Sequence, residues 1–223
     1  MIRAKAVGGL HEFLTSEVLA KVAAPGKKAV DLGTGRGAIA ERLQMMGCEV
    51  LAADVYRDDY EGEAPHVTIN FDQPDFAVSL GAGSFDIVTA VEVIEHVESP
   101  IGFLRNVQRL MAPGGTAVLT TPNVDCLPAR VKHLLSGKIR TMDEYGDPTH
   151  ISPIFYELLQ RQFLPRSGLR LQEHLLFPPS GFQLSRKSVA WVMAMATRLL
   201  PGETMAGDIH VLVLRADSDS AKK

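Results

Sequence analysis

The sequence predicts an α/β protein with a doubly wound, mostly parallel sheet of seven strands and helices on both faces. Short apolar runs alternate along the chain with segments of helical periodicity, which is the pattern of a parallel sheet covered by helices. A glycine-rich loop follows the first apolar run directly, in the sequence AVDLGTGRG at 29–37. Sheets of this class bind ligands at such a loop, where a strand gives way to a helix.

Seven apolar runs have the length of buried strands and lie at 29–33, 49–54, 66–70, 85–91, 116–121, 169–177 and 209–215. Segments with helical spacing lie before and between them, at 10–22, 38–46, 100–111, 127–135, 153–164 and 186–200. A strand, a helix and a second strand in succession form the unit that makes neighbouring strands parallel. We therefore expect one domain over 1–217, followed by a disordered polar tail over 218–223.

Composition, net charge and cysteine spacing limit the classes to which this protein can belong. The chain has 223 residues, of which 46% are hydrophobic and 22% charged, enough for one sizeable core. The net charge of −3 provides no basic field for nucleic acid. Cys48 and Cys126 lack metal-ligand spacing, so we expect no disulfide framework, no metal site and a reducing, cytoplasmic location. The start of the sequence has no apolar core of signal-peptide length, and no segment is apolar enough over about 18 residues to span a membrane.

The loop after the first strand carries three glycines at alternating positions, Gly33, Gly35 and Gly37. Glycine lets a ligand approach the backbone closely before the next helix begins. The spacing also satisfies the dinucleotide fingerprint G-x-G-x-x-G/A through Ala38, so the loop alone fits two cofactor classes. Asp31 favours a ligand with a positive amino group, because a dinucleotide-binding strand is normally apolar at that position.

Three segments together resemble a known family. The pattern apolar-apolar-Asp-Leu-Gly-x-Gly-x-Gly resembles motif I of the class I S-adenosylmethionine-dependent methyltransferases. FDIVTAVEVIEHV at 85–97 resembles motif IV of their small-molecule branch, of type 11 or 23, and LMAPGGTAVLTTPN at 110–123 is similar to the segment that follows. The resemblance covers about 29–123 and implies the Rossmann-like methyltransferase fold, whose last strand is antiparallel, with S-adenosyl-L-methionine as cofactor.

Residues at the ends of the first four strands would bind that cofactor. The resemblance implies that the glycine loop lines the methionine part of the donor. An acid at the end of the second strand can accept hydrogen bonds from both hydroxyls of a ribose, and Asp54 has that position; a turn cap is its alternative role. Asp72 would bind adenine, although an Asx-turn explains the same letters. The candidate cofactor residues are Asp31, Gly33, Thr34, Gly35, Gly37, Asp54, Val55, Phe71, Asp72 and Glu92.

Two histidines are the candidates for the catalytic base. Methyl transfer is an in-line displacement, and an oxygen nucleophile benefits from losing its proton. His96 and His150 could take that proton because an imidazole titrates near neutral pH. Bracing of the cofactor pocket by His96 and capping by His150 are the structural alternatives. His11, at the start of the first helix, is expected on the solvated surface; a contact with the cofactor, over which the leading helix of this family often closes, is the alternative.

The acceptor should be chosen by an insertion at about 123–150, at the ligand-binding edge of the sheet. A second insertion at about 183–203 contains a helix that is apolar on two sides, and it would serve as a packed lid, a homodimer contact or a peripheral membrane contact through 186–200.

The sequence thus predicts a methyltransferase for a small-molecule acceptor, with oxygen as the favoured atom to be methylated. The acceptor would be a glycan or lipid-linked sugar, a quinone precursor or a secondary metabolite. A nicotinamide-dependent oxidoreductase and a non-catalytic cofactor-binding scaffold are the alternatives.

Overall fold

A computed structural model describes residues 2, 6–183, 187–197, 199 and 202–217. Its strands are β1 (Lys28–Leu32), β2 (Glu49–Asp54), β3 (His66–Thr68), β4 (Phe85–Val91), β5 (Met111–Pro122), β6 (Leu169–Phe177) and β7 (Ile209–Ala216). They form one sheet in the order β3-β2-β1-β4-β5-β7-β6. Strands β1 to β5 pair in parallel, and β7 lies antiparallel between β5 and β6. The predicted fold class and the antiparallel last strand are confirmed.

The helices connect these strands as expected. Helix α1 spans 10–22 as three consecutive segments (Leu10–Leu14, Thr15–Leu19 and Ala20–Val22), and α6 spans 156–166 in the same way (Tyr156–Leu158, Leu159–Phe163 and Leu164–Arg166). The others are α2 (Ala38–Met45), α3 (Phe76–Leu80), α4 (Pro100–Leu110), α5 (Leu127–Ser136) and α7 (Lys187–Thr197), with a 3₁₀ turn at Ile94–His96. Helix α3 was not predicted, because five residues are too few to show helical periodicity.

The core lies in two layers, one on each face of the sheet. Successive strand residues point to opposite faces, so Val30 packs with α3, α4 and α6, whereas Ala29 packs with α1 and α2. Strand β4 divides in the same way, with Val88 in the first layer and Ile87 in the second. Because β1 lies between β2 and β4, the chain reverses its direction of travel across the sheet there. That reversal opens a crevice at the carboxyl ends of β1 and β4.

Helix α7 is attached to the rest of the fold by a small cluster. Met193 packs against Cys126, Ala129 and Phe182, whereas Trp191 is 66% exposed. The predicted helix at 186–200 is confirmed over Lys187–Thr197. Positions 184–186, 198, 200 and 201, the side chain at 187 and the tail at 218–223 lie outside the described residues.

The three phenylalanines under β3 and β4 generate a stability prediction. Phe76 is fully buried and contacts the rings of Phe71 and Phe103. We expect Phe76→Ala to lower the free energy of unfolding by about 3–5 kcal/mol, because it leaves a cavity in the first core layer. Val78→Ala is the matched control on the same helix: Val78 is exposed, and its loss should cost less than about 0.5 kcal/mol. Urea unfolding followed by circular dichroism measures both, and equal losses would contradict this account of the core.

Candidate active site

A cavity of about 270 Å³ lies at the carboxyl ends of β1 and β4, in the crevice where the strand order reverses. The loop after β1, the turn after β4, helix α1 and the loop before α6 form its walls. From the predicted set of site residues the cavity brings together Asp31, Gly33, Thr34, Gly35, Glu92, His96 and His150. The sequence therefore predicted both walls of this site, one from each strand.

Asp31 is a buried carboxylate on the β1 side of the cavity. Its Oδ1 accepts a hydrogen bond from Thr89 Oγ1 at 2.7 Å, and its Oδ2 accepts one from Thr34 Oγ1 at 2.8 Å. Within the described part of the chain these partners are neutral, and no lysine or arginine pairs with the carboxylate. Burial raises the pKa of Asp31 to about 6. A cationic group of a ligand would favour its ionised form, which fits the amino group implied by motif I.

The glycine loop has no room for a side chain at Gly33 or Gly37. Gly33, Gly35 and Gly37 have φ values of 67°, 54° and 98°, which favour glycine. A Cβ on Gly33 would lie 2.4 Å from Val93 Cγ2. Gly35 donates its N–H to Asp54 Oδ2 at 2.8 Å, while Asp54 Oδ1 accepts from the N–H of Tyr56 at 3.1 Å. Asp54 thus supports the loop, and each carboxylate oxygen keeps a lone pair for a further donor.

The remaining predicted cofactor residues lie outside this lining. Val55 is exposed beside Asp54, and Phe71 is buried against Phe103. Asp72 Oδ1 accepts the N–H of Glu98 at 2.8 Å, and its own N–H binds Asn70 Oδ1 at 2.9 Å in the alternative Asx-turn. Gly37 lies at the start of α2. The ligand contacts expected of Gly37, Asp54, Val55, Phe71 and Asp72 stay predictions.

Two carboxyl groups are buried on the β4 side. Glu92 has a left-handed backbone conformation (φ 55°), rare for a residue with a side chain and common at functional sites. Glu95 is fully buried, and its Oε2 accepts from Thr121 Oγ1 at 3.1 Å. The Oε1 atoms of both glutamates are buried without a hydrogen bond. Burial raises the pKa of Glu92 to about 7, and burial together with the charge of Glu92 raises the pKa of Glu95 well above its ordinary value.

The two predicted catalytic histidines contact each other, with ring centroids 4.7 Å apart. The hydroxyl of Thr149 donates to Asp147 Oδ1 at 2.5 Å, so its oxygen can only accept from His96 Nδ1, 2.9 Å away. His150 Nδ1 lies 3.0 Å from the carbonyl oxygen of Thr141, which likewise can only accept. These partners assign the proton to Nδ1 in both rings. In the neutral form of each ring, Nε2 is therefore the unprotonated nitrogen.

Three polar residues that line the cavity, His11, Arg36 and Asp147, were not predicted as site residues. His11 is 7% exposed and lines the cavity, so the expectation of a solvated His11 is wrong. Helix α1 lies over the crevice, and burial lowers the pKa of His11 to about 4. Arg36 and Asp147 also line it. Arg36 follows Gly35 directly and was within reach of sequence reasoning, whereas Asp147 comes from a loop that no local pattern places here.

Residues 8–179 match the family model described as "Methyltransferase domain". The chain belongs to this methyltransferase family. The class recognised from motif I is thereby confirmed, with S-adenosyl-L-methionine as its cofactor. The cofactor of this family is cationic, as is the ligand that Asp31 favours. The family assignment therefore replaces both alternatives, the nicotinamide-dependent oxidoreductase and the non-catalytic scaffold.

Curated relatives of this methyltransferase include two named ubiquinone biosynthesis O-methyltransferase. The protein from Xanthomonas campestris pv. campestris is 34% identical over 126 residues, 53% of each chain. The protein from Caulobacter sp. (strain K31) is 36% identical over 106 residues, 44% of this chain and 42% of the relative. The methyltransferase thus spans about half the length of the curated relatives it matches.

Solved structures show the same fold. A SAM-dependent methyltransferase from Archaeoglobus fulgidus superposes with a TM-score of 0.61 at 19% identity, over 92% of this chain and 93% of that one. The 1,6-didemethyltoxoflavin-N1-methyltransferase from Burkholderia thailandensis gives a TM-score of 0.59 at 13% identity, over 93% and 78%. Cys48 and Cys126 are buried free thiols. Among the described residues, no helix has the length and apolar character needed to cross a membrane.

The pKa of Asp31 leads to a prediction for the methyltransferase without ligand. Its folded value of about 6 lies above the ordinary 3.8, so the folded state binds more protons than the unfolded state between these values. The free energy of unfolding should therefore fall as pH rises from about 4 to 6, and Asp31→Asn should remove this contribution. Urea unfolding across this range measures the slopes. Asp58→Asn, at an exposed carboxylate, should keep the wild-type slope, and a parallel profile for Asp31→Asn would refute the assignment.

Proposed function

We propose that this methyltransferase transfers a methyl group from S-adenosyl-L-methionine to a hydroxyl group of a small-molecule acceptor. The observation that carries the proposal is one cavity with two chemically distinct walls. The glycine loop and buried Asp31 form the wall suited to a cationic nucleoside, and the unprotonated Nε2 atoms of His96 and His150 belong to the other. An oxygen acceptor needs a group that removes its proton, and a neutral imidazole supplies one.

The β1 wall fits the methyl donor. Gly33 and Gly37 pack too closely against Val93 and Tyr60 to carry side chains, which keeps the loop on the tight path that brings Gly33 and Gly35 to the cavity. Asp31 would hold the amino group of the donor, and Asp54 would bind the ribose hydroxyls with its remaining lone pairs. The bound cofactor supplies an electrophilic methyl carbon on its sulfonium. The chain itself has to orient donor and acceptor in line and to keep water out, and buried His11 on α1 closes that side.

The segment at 123–150 would choose the acceptor. It ends at His150, so it reaches the cavity directly. Leu134 and Leu135 on α5 are 83% and 79% exposed, and Trp191 on α7 is also exposed. The name of the curated relatives supports a quinone precursor as the first acceptor class to test. Contact of α7 with a membrane surface or a second copy stays a prediction.

Donor binding can be measured without knowing the acceptor. We expect S-adenosylhomocysteine to bind the wild-type protein in isothermal titration calorimetry and NADH not to bind. Asp54→Asn should weaken the affinity roughly ten- to a hundred-fold, because a hydrogen bond to a charged group contributes about 1.5–3 kcal/mol. Asp58→Asn, an exposed carboxylate four positions further on, should bind like the wild type. The donor site is refuted if the wild-type protein gives no binding heat.

Turnover needs a panel of hydroxylated aromatic quinone precursors, assayed by release of S-adenosylhomocysteine. We expect at least one member to be converted to its O-methyl product, identified by a mass gain of one methyl group. The matched control is the same compound with its hydroxyl already methylated, which offers no acceptor oxygen and should be inert. Tight donor binding without turnover of any panel member above the acceptor-free background would count against this acceptor class.

A further inference from the structure

We propose that Glu95, His96 and His150 bind a divalent cation on the acceptor side of the cavity. Each residue offers one ligand atom, and these atoms lie within 4.8 Å of one another. A carboxylate and two imidazoles at this separation can surround a single ion. The sequence predicted no metal site, because the third ligand comes from a loop more than fifty positions after the first two.

The buried carboxylate calls for a positive partner. Glu95 is fully buried, and its Oε1 has no hydrogen-bond partner. Glu92 has a second buried Oε1 without a partner, and within the described residues neither carboxylate forms an ion pair with a lysine or arginine. A buried negative charge is costly unless it is paired or coordinates a metal ion. A cation at this point would neutralise the charge of Glu95 and oppose that of Glu92.

The histidines already have the outer-shell contacts of metal ligands. A ligating histidine normally donates its other ring N–H to a carbonyl or a carboxylate, which fixes the tautomer and the ring. His96 donates Nδ1–H to Thr149, which is itself bonded to Asp147, and His150 donates Nδ1–H to the carbonyl of Thr141. Both arrangements leave Nε2 as the ligand atom. The site is therefore oriented before any ion binds.

Backbone contacts clamp the two ligand segments together. The N–H groups of Ile151 and Ser152 donate to the carbonyl oxygen of Glu95 at 3.0 and 2.9 Å. The loop that carries His150 is thus attached directly to the turn that carries Glu95 and His96. Gly146 maintains the path of that loop, because a Cβ there would lie 2.1 Å from the carbonyl oxygen of Thr141. Preorganised ligands on joined segments are what a specific ion site requires.

The ligand set selects the kind of cation. Mg²⁺ and Ca²⁺ favour oxygen ligands, whereas two imidazoles with one carboxylate suit Mn²⁺, Fe²⁺, Co²⁺ or Zn²⁺. Three protein ligands leave coordination positions for water or for an oxygen of the acceptor. His96 and His150 would then act on the acceptor through the ion.

The catalytic consequence, unlike the binding itself, rests on the proposed function. A hydroxyl group bound to the cation loses its proton to water more readily, since the ion stabilises the resulting oxyanion. That oxygen forms a bond to the methyl carbon while the carbon–sulfur bond breaks. The electron pair of the carbon–sulfur bond goes to sulfur, and neutral S-adenosylhomocysteine leaves.

The test titrates Mn²⁺ into metal-free protein and follows the electron paramagnetic resonance signal of the free ion, with Co²⁺ absorption as a second probe. We expect one bound ion per chain, and a loss of affinity of at least about ten-fold in Glu95→Gln and in His150→Gln. His150 is only partly buried, so its variant tests the site even if Glu95→Gln fails to fold. Glu49→Gln and His133→Gln are matched controls at exposed positions away from the cavity and should bind like the wild type.

Binding of S-adenosylhomocysteine, measured on the same metal-free samples, separates this inference from the proposed function. Retained donor binding with no bound Mn²⁺ or Co²⁺ overturns the cation site and leaves the methyltransferase site intact. Equal ion affinity in the wild type, Glu95→Gln and His150→Gln also overturns it. Specific ion binding that both variants lose supports the site even if S-adenosylhomocysteine does not bind.

Discussion

The site depends on negative charge buried at the carboxyl ends of β1 and β4. Asp31, Glu92 and Glu95 are all buried there, and no lysine or arginine of the described chain pairs with them. Hydroxyl groups stabilise Asp31 and Glu95 only in part, and Glu92 Oε1 has no partner at all. Burial disfavours the ionised forms of these three carboxyl groups and raises their pKa values, and a cationic ligand would stabilise the ionised forms. A sulfonium nucleoside on one side and a metal ion on the other meet the same requirement.

The fold explains why these charges lie together. Strands β1 and β4 are neighbours in the sheet, but the chain reaches β4 only after building β2 and β3 on the far side of β1. No connection therefore covers the carboxyl ends of this pair, and residues from both ends share one crevice. Glu92 forms the corner, because its left-handed backbone ends β4 there and starts the turn that carries Glu95 and His96. The two walls that we propose bind donor and acceptor thus begin at adjacent strands of the sheet, and the loop that carries His150 completes the second wall.

Local patterns made the fold and the donor wall predictable from sequence. The apolar runs of β1, β2 and β4 are unambiguous, and Asp31 with the glycine loop forms a contiguous motif. Helix α3 was missed because it is short. Surface solvation was preferred for His11 over a contact with the cofactor, because the local pattern does not show which side of α1 faces the crevice. His96 and His150 were both predicted as candidates for the catalytic base, but not as neighbours in one site. Their contact depends on a loop closure between distant segments, which neither spacing nor periodicity encodes.

The acceptor wall is also connected to helix α7. Arg140 donates to Asp208 Oδ1 at 2.6 Å, and Asp208 Oδ2 accepts the N–H of Gln183 at 2.5 Å, just before α7. On the other side of the helix, the Asn123 side-chain amide donates to the carbonyl oxygens of Thr204, Ala206 and Gly207. The loop that ends at His150 and the segments flanking α7 therefore share one hydrogen-bonded network around Asp208. Because of this network, a ligand or surface that engages the exposed face of α7 would act on the same segment that we propose chooses the acceptor.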